Sequence, residues 1–144
     1  MDYINQVPDN DKKPVTKSTG VLTPEKIVGK LFSMHNIAHF LHLQTTSYAQ
    51  HKMLDDVYNG LVGSKDTIAE YLLGIQAPKR FGPIVLDPIP SYSEGVVSSF
   101  LQQGFDFTCM ICEYAEEKEL EELCNLASDL QGIFVRGKYL NTLK

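Results

Sequence analysis

The sequence predicts an all-α fold, a bundle of four helices with one long connection between the second and the third. Three observations carry this expectation. Apolar residues recur every three or four positions in four separate stretches, the repeat of a helix that buries one face. Helix-start signals stand ahead of several of them: Thr23 before Pro24, Ser47 three positions before Gln50, and Ser91 three before Glu94. Between the second and third stretches, QAPKRFGPIVLDPIP carries four prolines and one glycine, so no long regular helix can persist there.

Residues 1–20 read as a flexible arm, with Pro8, Pro14 and Gly20 and few apolar anchors. Residues 21–144 then form one domain, since 144 residues suffice for one and not comfortably for two. The first helix starts at Thr23, with Pro24 in the first turn where a missing N–H costs nothing. Ile27, Leu31, Met34, Ala38 and Leu41 form its core stripe, and His35, His39 and His42 line an adjacent sector. Leu43 to Ser47 is the reversal, which makes the first two helices antiparallel neighbours. The second helix runs from Tyr48 to about Leu73, opened by a Ser47/Gln50 capping box and closed by Gly74. Its apolar stripe is Leu54, Val57, Tyr58, Leu61, Val62, Ile68, Ala69, Leu72 and Leu73.

The connection that follows, about 16 residues, exceeds the usual bundle loop and suits a long crossover between parallel second and third helices. One short turn of helix is expected around Ile84 to Asp87. The third helix begins with a Ser91/Glu94 capping box, and Val96, Val97, Phe100, Leu101, Phe105, Thr108, Cys109, Ile111 and Cys112 make its broad apolar face, which Gly104 interrupts for tight packing. The fourth runs from about Lys118 to Leu140 on Leu120, Leu123, Cys124, Ala127, Leu130, Ile133, Phe134 and Tyr139. Neither proline nor glycine marks the boundary between these last two helices.

Composition narrows the function classes. Hydrophobic content of 43% argues for a folded core, and 13 Lys and Arg against 18 Asp and Glu give a formal net charge of -5. That balance gives no support to indiscriminate nucleic-acid binding, whereas an acidic assembly attracts cations. In the arm, Lys12, Lys13 and Lys17 can touch DNA phosphates, but Asp2, Asp9 and Asp11 nearly cancel them. The N-terminal stretch has no apolar core of a secretory signal, and no apolar run is long enough for a membrane span. Three cysteines, an odd number, suit a reducing compartment, so a cytoplasmic protein is expected. Cys109-x-x-Cys112 lies in an apolar helical run without a second pair; it reads as buried structural thiols, with redox or metal use as the alternative. Glu116, Glu117, Glu119, Glu121 and Glu122 read as a solvated surface, or in a cage as carboxylates lining a pore or inner wall. No nucleotide-binding loop, G-x-S-x-G elbow or H-E-x-x-H occurs.

The chemistry-bearing residues sit on the second helix. His51, Asp55, Asp66 and Glu70, separated by four, eleven and four positions, fall within one sector at the edge of the apolar stripe. Asp55 and Asp66 are roughly 16 Å apart along a helix, so one small metal site cannot draw on both ends. Two pairs serving two sites is the economical solution, each completed by another element or another chain. Two copies crossing antiparallel about a two-fold axis near Gly60 would set the His51/Asp55 end of one against the Asp66/Glu70 end of the other, with Gly60 and Gly63 allowing close approach. His39, brought back by the reversal, can supply a further ligand.

His39, then His51 and Asp55 in HKMLD, then Asp66 and Glu70 in DTIAE resemble the ferroxidase ligands of Dps proteins, the small ferritin-like mini-ferritins that protect DNA in starved cells. The resemblance covers residues 24–142 and matches all five ligand positions at the family's spacing. Phe40 replaces a usual tryptophan, Gln44 and Thr45 replace a usual Gly-Pro, and Gln50 and Leu54 replace common Leu and Phe. What the resemblance implies is a ferritin-like four-helix bundle with a long crossover between its second and third helices. It further implies a twelve-subunit shell and a site to which one subunit gives His39, His51 and Asp55 and its two-fold mate gives Asp66 and Glu70. That site would bind iron and oxidise Fe2+ with hydrogen peroxide or, less efficiently, dioxygen, storing the product and protecting against oxidative stress. Two other readings stand beside it: a ferritin-like structural or shell protein that keeps the ligands without activity, and a DNA-compacting protein acting through its arms.

Overall fold

Four helices, and no strand, make up the described residues 20–143 of the computed structural model: α1 (Pro24–Gln44), α2 (Tyr48–Ile75), α3 (Glu94–Glu117) and α4 (Glu121–Leu140). The expected arm with Lys12, Lys13 and Lys17 lies outside the described residues. The first two helices start where the capping signals place them. Thr23 Oγ1 accepts the Lys26 N–H at 3.1 Å, and Ser47 Oγ accepts the Gln50 N–H at 3.2 Å.

Three boundaries differ from expectation. Gly74 does not cap α2, which runs on to Ile75 and closes at Gln76. α3 is capped by Ser93 rather than Ser91, its Oγ accepting from Val96 N–H, while Tyr92 is held outside the helix by its hydroxyl's bond to Gln50. α4 begins at Glu121, not Lys118, because α3 ends in a Schellman turn. Leu120 N–H donates to the Ala115 carbonyl at 2.8 Å, Glu119 N–H donates to the Glu116 carbonyl at 3.2 Å, and Glu119 takes the left-handed conformation at φ 57°. Glycine usually fills that position, so a glutamate there leaves the boundary unmarked in sequence.

α1 packs on α2, α3 on α4, and α2 on α4, around one core. The expected α1 stripe is wholly buried, as are Leu54, Val57, Leu61, Ile68 and Leu72 of α2. Phe134 of α4 meets Phe100 edge-on at 5.8 Å and lies against Gly104, where any added side chain would enter its ring. Among the described residues the 23 buried apolar side chains come from all four helices and form one core rather than two.

One end of the bundle is closed by a polar knot around Gln50, only 7% exposed. Its Oε1 accepts from Thr45 Oγ1 at 2.6 Å and from the Tyr92 hydroxyl at 2.7 Å, and its Nε2 donates to Asn141 Oδ1 at 3.1 Å. The expected reciprocal capping bond from the Gln50 side chain is therefore not made; Thr45 Oγ1 accepts the Ser47 N–H instead, at 3.1 Å. Residues 79–93 between α2 and α3 have no regular structure, so the turn of helix expected at Ile84 to Asp87 does not form. Hydrogen bonds tie the segment to α1: Gly82 N–H to Glu25 Oε2, Asp87 N–H to Ser33 Oγ, and Lys30 Nζ to Asp87 Oδ2 at 2.9 Å. Both partners of that ion pair are exposed, so it contributes about 0–1 kcal/mol.

Candidate metal centre

The α1–α2 reversal brings all four histidines of the chain into one run along the seam of the two helices. His39 of α1, half-buried, stacks on Tyr58 of α2 with ring centroids 4.4 Å apart. Tyr58 also stacks on His35, at 4.7 Å. One turn beyond His39, His42 lies 6.2 Å from it and stacks on His51 at 3.9 Å. Histidines three to four positions apart on α1 share a face, and the antiparallel return of α2 supplies their partners.

Hydrogen bonding sets the His51 tautomer. Its Nδ1 lies 2.9 Å from the His42 carbonyl, which can only accept, so Nδ1 carries the hydrogen and Nε2 of the neutral ring keeps a free lone pair. His42 returns the bond, with Nδ1 3.2 Å from the His51 carbonyl. A backbone carbonyl orienting an imidazole in this way is a frequent support for a metal-ligating histidine. Burial pushes His35 below the ordinary histidine range, helped by Lys65 and His39 and opposed by Asp66. Its Nε2 is buried with no hydrogen-bond partner among the described residues.

The carboxylates complete the face. Asp55, one turn after His51, is half-buried; Asp66 and Glu70 are exposed. None of the three has a hydrogen-bond or ion-pair partner for its side chain among the described residues, where the ion pair formed is Lys30–Asp87. Within one chain the five expected ligands stay apart: among the described residues no three His, Cys, Asp or Glu side chains converge to hold a metal ion. Between the two ends of the face stands Val62, 39% exposed, with Asn59 also exposed.

Gly60 does not lie on this face. A β-carbon there would come within 2.6 Å of Ile133 Cδ1, so Gly60 serves the contact between α2 and α4 and not an approach of two copies. Gly63 has open space around it and lines a groove with Leu126 and Asp129 of α4. An axis midway between Asp55 and Asp66 would instead pass between Asn59 and Val62. Sequence reasoning gave His42 and Tyr58 no definite place in the site; the return of α2 is what sets His42 against His51 and inserts Tyr58 between His35 and His39.

The chain belongs to the family of unknown function DUF5856, whose model matches residues 42–140. That span takes in His42, His51, Asp55, Asp66 and Glu70, and His39 precedes it by three residues. No curated protein and no solved structure matches the chain.

Proposed function

We propose that two copies of this protein pair their α1–α2 faces about a two-fold axis and enclose two equivalent iron sites. Each would take His39, His51 and Asp55 from one copy and Asp66 and Glu70 from the other. The observation that carries this reading is the α2 face itself: ligand-type side chains at both ends, carboxylates without partners among the described residues, and a His51 ring whose bond to the His42 carbonyl leaves Nε2 free. Support for a ferritin-like crossover comes from Tyr92, just before α3, bonding to Gln50 in the first turn of α2; the two helices then start at the same end, and the long connection returns alongside α1.

Imidazole and carboxylate donors suit Fe2+, which is substrate and cargo here. His51 and Asp55 hold one side, Asp66 and Glu70 close the other, one of the latter two bridging where two ions bind, and His39 completes the set. Clustered anionic ligands favour Fe3+ over Fe2+. Two Fe2+ each give one electron to hydrogen peroxide, which takes up two protons and leaves as two waters; dioxygen is the slower oxidant. By the resemblance to Dps proteins, the product enters a twelve-subunit shell in the cytoplasm, is stored as mineral, and the cell is spared hydroxyl radicals. DNA binding through the arm would be a separate activity.

The test is oxidation of Fe2+ by peroxide, followed by absorbance, in wild type, Asp55→Ala and Glu70→Ala. Each substitution is expected to lower the rate at least about a hundredfold with helicity unchanged. Equal rates in all three would discard the iron-oxidising reading in favour of a ferritin-like shell without activity.

A further inference from the structure

Two of the three cysteines meet across the turn between α3 and α4. Cys112 Sγ and Cys124 Sγ are 3.1 Å apart, inside the contact distance of two sulfur atoms, with the Cys124 thiol donating. Cys112 Sγ also lies 3.6 Å from the Cys124 carbonyl and 3.9 Å from Ser128 Oγ. Cys109, the other member of the Cys-x-x-Cys sequence, is not part of this pair: its sulfur accepts from Gln131 Nε2 at 3.4 Å. All three are half-buried rather than sealed in the core, and Cys124 opens on a surface groove beside Glu116, Glu119 and Asn125.

We propose that Cys112 and Cys124 are a peroxide-reactive dithiol that closes to a disulfide between α3 and α4. The hydrogen bond to Cys112, together with desolvation, pushes the Cys124 thiol up to about 11, so Cys124 keeps its proton and Cys112 is the attacking sulfur. The Cys112 thiolate attacks one oxygen of hydrogen peroxide; an S–O bond forms, the O–O bond breaks, and the departing hydroxide takes a proton to become water. The Cys124 sulfur then attacks Cys112; the S–S bond forms, the S–O bond breaks, and a second water leaves with the Cys124 proton. The two sulfurs lose two electrons and peroxide gains them. Closure needs the sulfurs to approach from 3.1 Å to about 2.05 Å. The product ties the last turns of α3 to the first turn of α4, and a thiol reductant reverses it.

None of these atoms belongs to the iron face, so the two ideas fail separately. The reduced full-length protein would be treated with hydrogen peroxide in the presence of a chelator and without iron. Titratable thiols in denaturant should fall from three to one, with peptide mapping joining Cys112 to Cys124 and leaving Cys109 free to alkylate. Cys112 and Cys124 should be consumed together and ahead of Cys109, whose sulfur has no second thiol beside it. In Cys124→Ser the reaction should stop at a sulfenic acid on Cys112, trapped by dimedone. Persistence of all three thiols, a disulfide that includes Cys109, or bridges only between chains would each overturn the proposal. The wild-type peptide map decides the matter even if the serine variant folds poorly.

Discussion

The α1–α2 and α3–α4 hairpins treat their outer surfaces in opposite ways. α1, α2 and the turn between them leave Phe32, Phe40, Leu43, Tyr48, Val62 and Ile75 exposed, with Tyr48 at 76% and Phe40 at 44%. α3 exposes no large apolar side chain, and α4 exposes Val135 and Tyr139. The polar groups differ in kind rather than in how many are paired. On α3 and α4 Gln102 pairs with Asp106 and Lys138, and Cys112 with Cys124, while Glu113, Glu116, Glu117, Glu121, Glu122 and Asp129 stand, like the carboxylates of α2, without a side-chain partner among the described residues. On α2 three carboxylates and a free imidazole nitrogen face outward without partners among the described residues. The difference therefore lies in the apolar side chains: one hairpin buries nearly all of its own, and on the reading proposed above the exposed ones of the other form the rim that a second copy would cover.

The largest expected effect comes from breaking that open face. Val62→Glu places a charge where the two copies would meet and should weaken self-association by about a hundredfold, measured by light scattering across a dilution series. A monomeric variant that still oxidised Fe2+ at the wild-type rate would show that the site does not need two chains. The closed hairpin should answer to packing instead. Gly104→Val drives a side chain into Phe134 and should cost about 3 kcal/mol in urea unfolding, leaving any surviving assembly unchanged in size. Gln50→Leu replaces the amide with an apolar side chain and leaves Thr45, Tyr92 and Asn141 without their partner. We expect a loss of roughly 1–3 kcal/mol, and a neutral result would mean that water replaces those bonds at little cost. The smallest effect should be a gain: Glu119→Gly relieves a left-handed glutamate and should raise stability by roughly 0.5–1 kcal/mol, seen as a higher melting temperature.

Gln50 also shows where legibility ends. As a capping-box member it was readable from Ser47 three positions earlier, and the cap on its N–H is present. Its side chain, however, joins residues 45, 92 and 141, a meeting that no local pattern encodes. The α3–α4 boundary was obscure for a different reason: the turn geometry is the common one, but a glutamate occupies the glycine position. Gly60 misled because a glycine in a helix announces a close neighbour without naming it, and here the neighbour is Ile133 of the same chain.

The sequence by itself determined the all-helical class, the starts of α1 and α2, the α1 stripe and most of the others, Val62 and Tyr139 being exposed, and the grouping of His51, Asp55, Asp66 and Glu70 on one side of α2. These depend on helical period and capping, which act within a turn or two of the chain. Only the tertiary structure decided that His42 orients His51, that Cys112 meets Cys124 rather than Cys109, and that Gly60 faces inward. Each of those turns on which faces of two helices come together, a choice made by the packing of the whole core and not by any one segment.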